Sequence, residues 1–201
     1  MSARDEILGR VRAANAAAGA QAGHILRDYR QTGEHPAGDP KLLELFTDRL
    51  VDYKAAVHRC SPSDLPDTLT GICRDWTVVV PAGSPLRVAN AISDAPPLPH
   101  TRLDEVDAVL TGCASACAET GTIALDAGPD QGRRALTLIP DRHVCVVRAD
   151  QVVQTVPELL ARLNPTRPLT FVSGPSATSD IELHRVEGVH GPRTLIVVLV
   201  A

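Results

Sequence analysis

The apolar positions of this chain repeat at helical spacing in its first quarter and at strand spacing afterwards. In residues 2–30, Ile7, Leu8 and Val11 recur at helical intervals, and Ser2 followed by Asp5 has the offset of a capping box. A long helix is predicted there. Its later part, 13–22, is dense in Ala with few large apolar side chains, so it buries little area and reads as an arm. Residues 32–40, crowded with Gly, Pro, Glu and His, read as a linker. Asp39 then caps a second helix, with Pro40 at its first position and Leu42, Leu43, Leu45, Phe46 and Leu50 repeating along one side. The expected division is 1–38 as an Ala-rich helix and linker, and 39–201 as one α/β domain.

Beyond this helix, short apolar runs alternate with helical patterns. Residues 55–59, 77–81, 106–110, 122–125, 135–139, 144–148, 169–172 and 194–200 read as strands, and 63–74, 85–92 and 155–163 as helices. Interleaved strands and helices predict an α/β fold. The close spacing of strands across 122–148 predicts some antiparallel neighbours, and so an open mixed sheet flanked by helices.

Composition narrows this picture. The 201 residues are 44% hydrophobic but only 2% aromatic, so the core must be built from Ala, Val, Leu and Ile. That length suits one domain with an appended arm. Twenty basic against twenty-four acidic residues give a formal charge of -4, which argues against a nucleic-acid partner. The longest apolar stretches, 77–81 and 195–201, are strand-sized and fall far short of the roughly 20 residues of a membrane helix, so no membrane partner is expected. The first residues mix charges without an apolar run, so no secretory signal is expected and the cytoplasm is the expected compartment. Cys60, Cys73, Cys113, Cys117 and Cys145 are odd in number and irregularly spaced, which predicts free thiols. Cys113 and Cys117, four apart among Ala and Ser, would share one face of a helix, as small buried fillers or as a reactive or ligating pair. No zinc spacing and no flavin or dinucleotide fingerprint is present, so neither metal nor cofactor is expected.

Three polar segments stand at the ends of apolar strands, where open α/β sheets bind ligands at the carboxyl ends. In the first, Glu119, Thr120, Gly121 and Thr122 lie between an Ala/Cys-rich helical turn and a strand. Glu119 is placed there as a half-buried carboxylate, suited to a general base or nucleophile, or to binding backbone donors at a turn. The second follows the strand 169–172: Gly174, Pro175 and Ser176, then Asp180 and Glu182, offer hydroxyls and backbone donors as an anion nest, or as caps for a following turn. It lacks the Lys of a P-loop. In the third, glycines on both sides of His190 allow close backbone approach to a ligand. His143, just after Pro140 and Asp141, is placed to point into the same crevice or to close a turn. The ligand expected from these groups is a small carboxylate or phosphate.

The segments Glu119-Thr120-Gly121-Thr122, Pro140 to His143, Ser173-Gly174-Pro175-Ser176 with Asp180-Ile181-Glu182, and Gly188-Val189-His190-Gly191-Pro192 occur in an order and spacing that resembles the LUD-domain family, and within it the lactate-utilisation C type. The resemblance implies a fold similar to the sugar-phosphate isomerase and CoA-transferase superfamily. It also implies a role in oxidising L-lactate to pyruvate beside iron-sulfur partner proteins. The chain has no CxxCxxC spacing of its own, so it is expected to be non-redox. Two other readings stay open: an independent CoA or acyl transferase or isomerase using Glu119, and a structural subunit that docks through its N-terminal helix.

Overall fold

Apolar runs without polar alternation make strands that are covered on both faces. In the computed structural model, which describes residues 2–18, 26–89, 91–178, 186–187 and 190–201, six strands form one parallel sheet. They are β1 (Ala56–Cys60), β2 (Val78–Val80), β3 (Ala91–Ser93), β4 (Ala108–Thr111), β7 (Arg142–Arg148) and β12 (Thr194–Val200), in the order β1-β12-β7-β4-β2-β3. The four inner strands β2, β4, β7 and β12 are such apolar runs. A second sheet of β5 (Ser115–Cys117), β6 (Thr122–Leu125), β8 (Val152–Val153) and β9 (Thr170–Val172) has the order β8-β5-β6-β9, and β10 (Ala177–Thr178) pairs with β11 (Val186–Glu187) as a ribbon.

Strand alternation sorts the core into layers. Val144, Val146, Ile196 and Val198 pack with Leu69 and Cys73 of α3 (Leu65–Cys73). Cys145, Val147, Leu195, Val197 and Leu199 share the opposite cluster with Leu42, Leu43, Phe46 and Leu50 of α2 (Pro40–Asp52) and with Ala116, Ile123 and Val152 of the second sheet. α2 begins as predicted: the Asp39 carboxylate accepts the Lys41 N–H at 2.8 Å, and Pro40 opens the first turn. Leu103 of α4 (His100–Asp104), an element the sequence pattern does not reveal, joins Val79, Val109 and Leu136 in a smaller cluster.

α1 (Ala3–Ala17) carries the predicted capping box, with Asp5 N–H donating to Ser2 Oγ at 3.2 Å and Ser2 N–H to the Asp5 carboxylate at 3.1 Å. It buries no residue, and Ile7 and Val11 stay 61% and 50% exposed. The predicted continuation to residue 30 fails in part: 26–30 are not helical, and 19–25 lie outside the described residues. The 33–38 segment is fastened to the second sheet. Glu34 and His35 donate their N–H groups to Gln154 Oε1 at 2.7 and 3.0 Å, and Gly38 N–H donates to the Val152 carbonyl at 3.0 Å.

Other differences have a common cause, which is that tertiary pairing outweighs local pattern. The Ala/Cys-rich residues before Glu119 are strand β5, not a helical turn, because β6 and β8 flank them with ladder partners. Residues 135–137 belong to a 3₁₀ turn, Arg134–Thr137, and 138–139 to the turn that follows it, so none of 135–139 is strand. Residues 85–89 are not helical, residue 90 lies outside the described residues, and 91–92 belong to β3, which pairs along the edge of β2. Antiparallel pairing does occur at 122–125, but with β5 and β9, while β7 runs parallel between β4 and β12. α5 (Val156–Ala161) opens with a capping box of Thr155 and Glu158. Among the described residues no helix is long and apolar enough to cross a membrane.

One ion pair braces the carboxyl end of β3. Arg133 donates Nε to Asp94 Oδ2 at 2.8 Å and Nη2 to Oδ1 at 3.0 Å, and Leu98 N–H adds a bond to Oδ1 at 2.8 Å. Burial pushes the Asp94 pKa up, but the bonds from Arg133 and Leu98 and the Arg133 charge outweigh it and leave the carboxyl below its ordinary range. A carboxyl with a lowered folded-state pKa stabilises the fold above its unfolded pKa of about 4, and this stability is lost as pH falls through the folded value. Urea midpoints of wild type should therefore drop below about pH 4, and in Asp94→Asn that acid-induced drop should be shallower. An unchanged pH profile in the variant would show that the pair contributes no acid sensitivity.

Candidate functional site

The exit loop of β9 folds across the entry of β7 and β12 and encloses a cavity of about 260 Å³. Its floor is His143 and Leu195, each the second residue of its strand and paired in register, with Thr137 and Leu138 beside them. One wall is Thr170–Val172 and the loop through Ser173, Gly174, Pro175 and Ser176; the other is His190, Gly191 and Pro192. Two bonds stitch the walls together: Ser176 N–H donates to the Pro192 carbonyl at 2.9 Å, and His190 N–H donates to Ser176 Oγ at 3.1 Å. Among the described residues the Ser176 hydroxyl proton has no acceptor, which leaves it for a guest.

His143 is only 2% exposed and shares a 2.8 Å hydrogen bond between its Nε2 and Thr111 Oγ1 on β4. That bond fixes the ring, and the parallel register of β4 and β7 supplies the partner. Among the described lining residues none is Asp, Glu, Lys or Arg. The chamber therefore offers imidazole and hydroxyl groups on an apolar floor, an arrangement that holds a small polar ligand by neutral hydrogen bonds. Among the described residues no group of His, Cys, Asp and Glu gathers as for a metal ion.

His143, Gly174, Pro175, Ser176 and His190, expected from sequence, thus meet in one cavity. It lies at the carboxyl end of β9 but at the amino ends of β7 and β12, so the rule that placed it at the carboxyl ends of the main sheet does not describe it. Glu119 does not line it. Its carboxylate, 33% exposed, receives Arg30 Nη2 at 2.5 Å and Gln154 Nε2 at 3.2 Å. Thr120 and Thr122 reach the rim only through a hydroxyl chain: Thr120 Oγ1 donates to Thr122 Oγ1, which shares a hydrogen bond with Ser173 Oγ, both at 2.8 Å. Gly121 faces α2 and not a ligand, since a Cβ there would stand 2.9 Å from Arg49 Cβ and 3.2 Å from the Arg49 carbonyl carbon. Asp180, Glu182, Gly188 and Val189 lie outside the described residues.

Sequence reasoning missed Thr111, which falls just past the predicted strand 106–110, and Leu138 and Leu195, which lie in segments read only as strands. No local signal marks them, because the register that sets Leu195 beside His143 appears only in the sheet. All five cysteines are free thiols. Cys113 and Cys117 do not stack on a helix, because their segment is extended. Cys113 instead donates its thiol to Gln151 Oε1 at 3.5 Å, and the neighbouring Cys145 thiol, followed by burial, holds it well above the ordinary pKa. Burial alone pushes Cys73 up to about 11.

These features define an α/β protein with a parallel six-stranded sheet and a histidine-floored cavity against a second sheet. The LUD domain profile matches residues 99–200. Lactate utilization protein C of Deinococcus radiodurans is 53% identical over 174 residues, 82% of this chain and 82% of its own. Lactate utilization protein C of Bacillus pumilus is 34% identical over 91 residues, 41% of this chain and 38% of its own. Uncharacterized protein YkgG of Escherichia coli is 33% identical over 82 residues, 37% of this chain and 35% of its own. The crystal structure of a DUF162 family protein from Deinococcus radiodurans matches with a TM-score of 0.69 at 48% identity, over 80% of this chain and 97% of that one. The chain belongs to the LUD-domain family.

Proposed function

We propose that this protein serves lactate utilisation as a non-redox component of a system that oxidises L-lactate to pyruvate with iron-sulfur partner proteins. In this reading the cavity holds a small carboxylate of that pathway. The observation that carries the site is the meeting of His143, Ser176 and His190 around one chamber of about 260 Å³, just below the roughly 300 Å³ at which drug-sized sites begin and so suited to a smaller ligand. The names of the relatives from Deinococcus radiodurans and Bacillus pumilus support the pathway. The compartment in keeping with this role is the cytoplasm.

Glu119 is engaged by Arg30 and Gln154 and stands off the cavity lining, so the geometry favours binding over a transferase reaction through that carboxylate. Calorimetric titration of the full chain with L-lactate and with pyruvate tests the reading. Saturable binding of either is expected, weakened by about tenfold in Ser176→Ala and in His190→Ala, the loss of one hydrogen bond to a charged ligand. Unaltered affinity in both variants would remove the cavity from the function. The same preparation mixed with L-lactate and an artificial electron acceptor should form no pyruvate, and turnover by the chain alone would overturn the non-redox assignment.

A further inference from the structure

The strand order contains a switch point that the His143 cavity does not use. From β2 the chain passes outward to β3, returns across β2 to β4, and then proceeds the other way to β7 and β12. In open α/β sheets the crevice outside the carboxyl ends of the two strands at such a reversal is the preferred ligand position. Here those strands are β2 and β4. A cleft of about 380 Å³ opens at that end, lined by Ala82 and Gly83 after β2, Asp94 after β3, and Ala127, Pro129 and Arg133 from the loop that follows β6.

The walls of this cleft are held firmly. Gly83 lets the β2 exit loop lie against the second loop, because a Cβ there would stand 2.8 Å from Pro129 Cβ and 3.0 Å from its carbonyl oxygen. Gly112, at the end of β4, donates its N–H to the Asp130 carbonyl at 2.9 Å, and Gln131 Oε1 accepts the Asp126 N–H at 2.6 Å. Between these ties Ala127 is kept at φ +56°, a left-handed conformation that a residue with a Cβ rarely adopts. Such outliers persist where the surroundings over-determine them, often at ligand sites.

The cleft also presents donors without acceptors. The backbone N–H groups of Ala82, Gly83 and Ala127 make no hydrogen bond among the described residues. Arg133 commits Nε and Nη2 to Asp94 and Leu98 and leaves Nη1 unbonded among the described residues, with its side chain 33% exposed. Asp94, 6% exposed, holds the guanidinium in one orientation, so little side-chain freedom is lost when a ligand binds its outer edge. Unbonded backbone donors and a fixed guanidinium that line one cleft are the groups from which an oxyanion receptor is built.

We propose that the crevice at the carboxyl ends of β2 and β3, closed by the loop after β6 that is tied to the end of β4, is a second ligand site, which takes a carboxylate or phosphate group on the outer edge of Arg133 and on the N–H groups of Ala82, Gly83 and Ala127. It is separate from the His143 cavity, with which it shares no lining residue. Titrating the isotope-labelled full chain with inorganic phosphate and, separately, with acetate tests it by amide chemical shifts. Saturable shifts are expected at Ala82, Gly83 and Ala127, with affinity reduced by about tenfold or more in Arg133→Lys, which loses the planar fork. The stronger of the two probes identifies the ligand as phosphorylated or carboxylic. Should Arg133→Lys fail to fold, Ala82→Trp fills the exposed wall of the cleft and should abolish the same shifts. The proposal is overturned by the absence of saturable shifts at these amides, by shifts confined to Ser173, Ser176 and Gly191, or by wild-type affinity in the folded variants. Failure here is distinguishable from failure of the proposed function, because the lactate and pyruvate test turns on Ser176→Ala and His190→Ala, at residues that line only the other cavity.

Discussion

Replacing Phe46 by alanine is expected to lower the free energy of unfolding by about 3–5 kcal/mol, the range for truncating a fully buried ring. Phe46 is 0% exposed and lies in the cluster where α2, the parallel sheet and the second sheet meet. With 2% aromatic residues in the chain, its neighbours are aliphatic and small, among them Leu42, Leu50, Ala55 and Ala116. None is placed on a long flexible side chain able to fill the space, so the cavity persists and its full cost is felt. For a chain of this size each kcal/mol moves the melting temperature by about 2–4 °C, so a fall of about 6–20 °C should be seen by thermal circular dichroism. A loss below about 1 kcal/mol in urea titrations would mean that α2 does not clamp the two sheets together.

Gly121→Ala is expected to destabilise the protein by about 2–5 kcal/mol. Roughly 1–2 kcal/mol comes from placing a Cβ at left-handed φ and roughly 1–3 from overpacking. Its φ is +61°, and the added carbon would press on the backbone of α2 at Arg49 and Leu50, which cannot move without dragging the helix. This prediction separates two roles for a residue that sequence placed in a ligand-binding segment. A structural glycine loses stability while the remaining folded protein binds lactate or pyruvate as before. A ligand-contacting glycine would lose binding at unchanged urea midpoint, and that result would contradict the packing described here.

Much of the architecture was legible because it rests on local rules. The Asp39 cap with Pro40 and the leucine stripe of α2, the Ser2 and Asp5 box of α1, and the uninterrupted apolar runs of β2 and β12 each carry their own signal in neighbouring residues. The elements that were misread lack such a signal. Strand β5 is Ser115, Ala116 and Cys117, residues of weak strand preference, and it is extended because β6 and β8 bind it from both sides. The site was legible in composition but not in geometry. Polar residues after strands pointed to Ser176, His143 and His190, yet the same logic ranked Glu119 with them, and nothing local in its sequence reveals Arg30 89 positions away.

The residue order alone determined the class of fold, the free thiols and the loops rich enough in hydroxyls and imidazoles to form a site, because each follows from spacing and side-chain type over a few positions. Tertiary structure alone decided which of those loops share a chamber, that Gly121 abuts a helix, and that Asp94 and Arg133 meet at the mouth of β2 and β3. Those outcomes depend on strand order and register, which bring together groups tens of residues apart, and a one-dimensional pattern carries no information about that pairing.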